Sequence, residues 1–227
     1  MSKMVFLPAE RVVKLVKRYS KPIFESLPKD KPLHEVPFEK IVEATANALG
    51  QNPIFSRKGQ TTRLIALRPM DGERELFDFT EIGHNLIKER IVSRLVQEGF
   101  LETEEHKQLF REVFGCIFYN PPTEFTNKSL LSLRQLVKAV GRETAEKVFE
   151  RNHQLINLET ENLEKANIPS SPVFNHLKNV SVDIFANPLR SSKWHFKTGN
   201  ETRLSALERF FVNKLKQNDA GCYEEMK

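Results

Sequence analysis

Residues 63–79 read Arg63-Leu64-Ile65-Ala66-Leu67-Arg68-Pro69-Met70-Asp71-Gly72-Glu73-Arg74-Glu75-Leu76-Phe77-Asp78-Phe79. Two runs that suit a pleated strand, Arg63–Arg68 and Arg74–Phe79, flank an Asp-Gly pair. Asp-Gly in that setting is a strong hairpin marker, because the tight turns that match strand twist need positive φ at their central residues. This stretch decides the fold class. With a shorter strand around Ile54-Phe55, it predicts one small antiparallel β-hairpin sheet near residues 54–79. A second alternating run, Val180-Ser181-Val182-Asp183-Ile184-Phe185, predicts a further short strand.

Outward from the hairpin, the pattern turns helical. Upstream, Pro8 suits a first helical turn, and Val12, Val16, Tyr19 and Ile23 recur at helical spacing, with Arg11, Lys14, Arg18 and Lys21 along another side. Pro22 is expected to kink or end that helix, which makes Lys21–Val36 a connector, and Pro37 opens a second helix, Phe38–Leu49, stopped at Gly50. Downstream, Thr80 caps a helix to about Glu98, closed by Gly99, and Thr103 caps the next, to about Tyr119. Asn120-Pro121-Pro122-Thr123 reads as a hinge. Beyond it, Ser129–Val140 and Thr144–Lys165 are helical with a break at Gly141, and Asn200 caps a last helix to about Gln217. The expected fold is α+β, predominantly helical, arranged as 1–120 and 121–227 or as one continuous domain.

Composition agrees with that balance. The chain has 227 residues, of which 39% are apolar and 29% charged, and its 17 Phe can furnish a core. Of the 30 acids, 25 are Glu and 5 are Asp, and Gly occurs 9 times. Glu suits helix interiors, while Asp and Gly favour turns. No G-x-G-x-x-G and no G-x-x-x-x-G-K-[ST] occurs, which counts against dinucleotide and P-loop sites, and no cofactor is expected. Cys116 and Cys222 are the only cysteines, too few and too far apart for a disulfide framework or a zinc motif. The longest apolar run, Val113–Tyr119, falls far short of a membrane span, and a reducing, cytoplasmic setting is the expectation.

The net charge of +5 conceals segregation. Residues 1–68 carry 13 Lys/Arg against 6 Asp/Glu, residues 69–127 carry 6 against 12, and residues 128–227 carry 16 against 12. This basic–acidic–basic order has two physical readings: basic surface exposed to a partner, or segments that pack as complementary surfaces.

Candidate chemistry is sparse. Glu81/His84 and Glu150/His153 both match Glu-x-x-His, the spacing that puts a carboxylate and an imidazole on one helix face in di-metal bundles. With 25 Glu and 6 His, coincidence alone produces such pairs, and Glu150/His153 lies among polar neighbours, as an exposed face does. No Gly-x-Ser-x-Gly elbow is present. Two segments suit phosphates instead. Arg57, Lys58 and Arg63 lie in a hydroxyl-rich stretch able to follow a nucleic-acid backbone. Arg190, Lys193, Trp194 and Lys197 interleave cations with an aromatic able to stack on a base, although Trp194 equally suits a core anchor. Leu133–Thr144 has a helix–Gly–helix look, but Arg142, Lys147 and Glu150 stand where a helix-turn-helix is apolar. The first helix, basic and amphipathic, suits an anionic membrane, a partner's groove or the protein's own core.

The sequence therefore predicts a non-catalytic interaction protein whose basic surface meets nucleic acid or an acidic protein surface. Its rivals are a helical protein–protein adaptor or regulatory factor, and an enzyme with an unrecognised site.

Overall fold

The computed structural model describes residues 3–6, 9–51, 64–70, 73–118, 123–166, 175–192 and 199–224. Eight α-helices take up most of them: α1 (Ala9–Ser26), α2 (Phe38–Gly50), α3 (Thr80–Gln97), α4 (Glu104–Phe118), α5 (Thr123–Val140), α6 (Arg142–Lys165), α7 (Asn175–Ser192) and α8 (Arg203–Glu224). Among these residues no helix is long and apolar enough to cross a membrane.

Several boundaries follow from local chemistry. Pro37 precedes α2 in extended conformation and leaves its own carbonyl to accept from Lys40 and Ile41. The Thr103 hydroxyl accepts the His106 N–H at 3.1 Å and so satisfies one of the orphan donors at the start of α4. Gly99, at φ 78°, turns the chain out of α3 while the Phe100 N–H returns to the Leu95 carbonyl at 2.9 Å. Other expectations are corrected. Asn200 does not cap the last helix: Thr202 does, its hydroxyl accepting the Ser205 N–H at 3.3 Å. Pro22 does not end α1, which continues to Ser26. Pro22 lies on the exposed side of the helix.

The fold class is also corrected, from α+β to all-α. Backbone pairing does join β1 (Lys3–Phe6), β2 (Leu64–Met70) and β3 (Glu73–Asp78) into a ribbon of order β1-β3-β2. The β2–β3 pair is antiparallel, as the Asp71-Gly72 signal predicts, and its register shifts between Ala66 and Pro69. The parallel β1–β3 pair has no counterpart in the sequence reading. Its strands of four, seven and six residues form no architectural layer beside eight helices of 13 to 24 residues. The expected strand at Ile54-Phe55 lies outside the described residues. The one at Val180–Phe185 is helix, within α7. Val180, Ser181, Ile184 and Phe185 are buried while Asp183 is exposed, the helical period rather than alternation. Four β-branched or aromatic residues, Val180, Val182, Ile184 and Phe185, raise strand propensity there, but such propensity yields to packing context.

The chain divides into two compact units, one of residues 1–87 and 159–188, the other of residues 88–158 and 189–227. In the first unit, the Tyr19 ring of α1 meets Phe79 at 5.2 Å, and Asn85 of α3 donates to the Ser20 hydroxyl at 3.3 Å. Phe38 of α2 meets Phe185 of α7 edge-on at 5.8 Å. Gly83 lets α3 touch α7: a Cβ there would sit 2.1 Å from the Ile184 carbonyl oxygen. In the second unit, Phe110 of α4 stacks on Phe149 of α6 at 6.0 Å. The Ser129 and Ser132 hydroxyls of α5 donate to the Glu112 carbonyl and carboxylate of α4.

Candidate functional site

α1 presents the clearest charged surface among the described residues of the first unit. Its inward side is set by Ser20 and Ile23, both buried, and by Tyr19 against Phe79. That anchoring turns the opposite side outward: Arg11, Lys14, Lys17, Arg18 and Lys21 are all exposed, against Glu10 and Glu25 on the same helix. Lys14, Lys17, Arg18 and Lys21 stand at i, i+3, i+4 and i+7, so they form one contiguous patch. At 1.5 Å per residue the patch spans about 10 Å along the axis. Lys21 has a loose pair with Glu25 at 3.6 Å, and the Arg18 guanidinium lies 5.9 Å from the Tyr19 ring centroid. An exposed pair of that kind holds little energy, so its charge stays available. Lys29 and Lys31, also exposed, follow just beyond the helix, with Asp30 between them.

A membrane-surface helix must offer its apolar stripe to lipid. Here Ile23 of that stripe is buried and Val12, Val16 and Tyr19 are half-buried, so the stripe is covered in part by the protein itself, while Val13 on the same helix is 42% exposed.

Arg57, Lys58, Arg63, Lys193, Trp194 and Lys197 lie outside the described residues. Arg190 is exposed in the last turn of α7, where a cation complements the negative end of the helix dipole. Glu81 and His84 lie on α3 in the first unit, with His84 buried. Glu150 and His153 lie on α6 in the second unit, where Glu150 pairs with Arg203 at 3.1 Å. Burial pushes the His153 pKa down, and the Arg203 charge adds to that shift against the opposing pull of Glu150. Among the described residues no three His, Cys, Asp or Glu side chains gather as metal ligands would.

The second unit holds an ion-pair system that sequence reasoning did not anticipate. Arg111 grips Glu89 with two bonds of 3.0 Å, a fork-to-fork geometry that joins α4 to α3. Arg151 of α6 bonds both oxygens of Glu98, at 2.7 and 2.6 Å, and Arg94 adds a third bond at 2.8 Å. The Arg151 hydrogen bond holds the Glu98 carboxyl down at about 2, with Arg94 reinforcing it against the cost of burial. Arg142 reaches from α6 to Glu208 and Ser205 of α8 at 3.1 and 2.9 Å. These cations serve the structure. The Arg94/Glu98, Arg142/Glu146 and Glu143/Lys147 pairs, each four apart on one helix, follow the i,i+4 spacing. Comparison with protein-family models, with characterised proteins and with solved structures finds no match for this chain.

Proposed function

We propose that this protein is a non-catalytic interaction protein that uses the basic face of α1 to hold an acidic partner, and that the partner is nucleic acid. The observation that carries this reading is the contiguous exposed patch of Lys14, Lys17, Arg18 and Lys21 on a helix whose other side is anchored. Packed cations of this kind serve phosphates well, because contact with a polyanion releases condensed counterions and needs no deep pocket. Among the described residues no exposed aromatic lies beside the patch, so it contributes affinity and position rather than base identity. Arg57, Lys58 and Arg63, with Arg190, Lys193, Trp194 and Lys197, belong to the same proposal as further contacts. The two widely separated cysteines suit a reducing, intracellular setting.

The test is the salt dependence of binding to a random duplex or single-stranded oligonucleotide. Each phosphate neutralised contributes about 0.9 to the slope of log K against log salt on duplex DNA, so four lost contacts remove roughly 3 to 4. The expected result is steep salt weakening for the native chain and a much shallower slope for K14Q/K17Q/R18Q/K21Q. Absence of binding at low salt, or an unchanged slope in that variant, overturns the reading.

A further inference from the structure

A second surface, on α5 in the other unit, has a different chemistry. From Thr126 to Val140 the helix carries Lys128, Arg134 and Lys138 and no acid. Its inner side is fixed by buried Leu130, Leu133 and Leu136, with Ser129 and Ser132 bonded to Glu112. At 100° per residue, the outer side is centred on Leu131, which has Lys128 three residues before it, Arg134 three after, Gln135 four after and Lys138 seven after. All five are exposed. Leu131 is 56% accessible, against 42% for Val13 and Leu158 and 37% for Val96, the other large apolar side chains exposed among the described residues. Lys128 lies at the edge of the strip, 3.5 Å from Glu112 and still 63% exposed. Glu112 itself accepts bonds from Ser132 and Gln108, so it is held to the inner side of the strip.

We infer that this strip docks an acidic amphipathic helix from a partner protein. Three candidate occupants differ in what they do with Leu131. A phosphate backbone would use the cations and leave the leucine idle. A second copy of the same face would bring Lys and Arg against Lys and Arg, a repulsive pairing. An acidic helix with its own apolar stripe uses both features: its stripe covers Leu131 while carboxylates on its flanks meet Arg134 and Lys138. Central apolar anchor with charged surround is the usual layout of a small interface. A contact of about 13 residues runs along roughly 20 Å of helix. It falls in the small-interface class typical of transient partners, with affinity around the micromolar range.

The test uses the full chain and a synthetic 16-residue stapled helix with Leu at i, i+3, i+4 and i+7 and Glu on both flanks, alongside a twin with Lys for every Glu. Fluorescence anisotropy reads affinity, and amide shifts in heteronuclear NMR spectra locate the site. The expected result is binding of the Glu peptide at least 10-fold tighter than the Lys twin, with shifts centred on residues 128–138. L131E should weaken it at least 10-fold, R134E/K138E about as much, and L131A by roughly 3-fold. Leu131 is exposed, so these variants should keep the native melting temperature, which is checked first. Failure of the Glu peptide to bind at 1 mM, equal binding of both peptides, or binding indifferent to L131E overturns the inference. So does a random oligonucleotide that shifts the same amides and is indifferent to L131A. The α1 variant K14Q/K17Q/R18Q/K21Q should bind the peptide normally, which separates this result from the fate of the nucleic-acid reading.

Discussion

Replacing Gly83 with alanine tests the architecture where it departs most from the sequence pattern. In an exposed mid-helix position Gly→Ala is stabilising by about 1 kcal/mol, because alanine has less backbone entropy to lose. Gly83 is buried on α3, and a Cβ there meets the Ile184 carbonyl oxygen at 2.1 Å and its carbon at 2.8 Å. Ordinary contact begins at 3.4 Å, so α3 and α7 must part by about 1 Å or more. The obstacle is backbone and cannot rotate aside. Overpacking of this kind costs about 1–3 kcal/mol, and an unyielding main chain argues for the upper end. Subtracting the propensity gain leaves a net destabilisation of about 2 kcal/mol. For a chain of this size, that lowers the melting temperature by roughly 4–8 °C. Urea titration followed by circular dichroism should show the midpoint fall with the slope unchanged. Gly99→Ala is the contrast: φ is 78° with open space around the site, so its cost of about 1 kcal/mol comes from backbone conformation alone. A melting temperature that stays or rises in Gly83→Ala would refute the α3–α7 crossing, and with it the helical assignment of residues 180–185.

Val180→Ala and Val182→Ala probe the same assignment from the other side. Val180 is buried and should cost about 1–2 kcal/mol by thermal denaturation, whereas half-buried Val182 should change stability by less than about 0.5 kcal/mol. In a strand both would face one way and cost alike. Thr202→Ala should lower stability by about 1 kcal/mol in the same assay and Asn200→Ala by no more than about 0.3, which distinguishes the two candidate caps of α8. Glu98→Gln should cost roughly 2 kcal/mol at pH 7. The Glu98 carboxyl lies at about 2 in the folded chain against 4.5 ordinarily, so its contribution is complete above pH 4.5 and drains away as pH falls toward 2. Urea midpoints of the two proteins should therefore converge across that interval, and a gap that stays constant would count against the Arg151 pair as its source.

What the sequence made legible was mostly local. Pro37 before α2, Thr103 before α4 and Gly99 after α3 each solve a backbone problem within a few residues, and each lies where its chemistry placed it. The Asp71-Gly72 pair likewise identified the pairing of β2 with β3. The failures share a different cause. Gly83 reads as an ordinary weak point in a helix until Ile184, 101 positions later, is seen against it. Residues 180–185 alternate well enough for a strand, and only Leu177, Ser181 and Phe185 on one side, with Phe38 against the last, show the helical period. Pro22 was expected to kink or end its helix, and α1 runs on to Ser26. The hairpin misled the fold class because a strong local turn signal carries no information about whether a sheet grows large enough to cover a core.

The charge segregation shows the same division between local and distant information. Exposed basic surface and complementary packing were equal readings of the basic–acidic–basic order, and the structure distributes them between parts of the chain. Acids of the middle segment are held by cations of the last: Glu98 by Arg151, Glu112 by Lys128. Glu89 is held within its own segment by Arg111. These pairs lie in one unit, and the two to Arg151 and Lys128 offset acids of residues 88–127 with cations from beyond that stretch. The first segment is treated differently. Lys21 pairs only loosely with Glu25 of its own helix, and the patch from Lys14 to Lys21 points outward on a helix held from behind by Tyr19 and Ile23. Complementary packing thus accounts for part of the acidic middle, while α1 carries exposed cations from the excess of seven positive charges in residues 1–68. A charge reversal confined to α1 should therefore alter polyanion binding with little effect on stability, whereas reversing Arg151 should do the opposite.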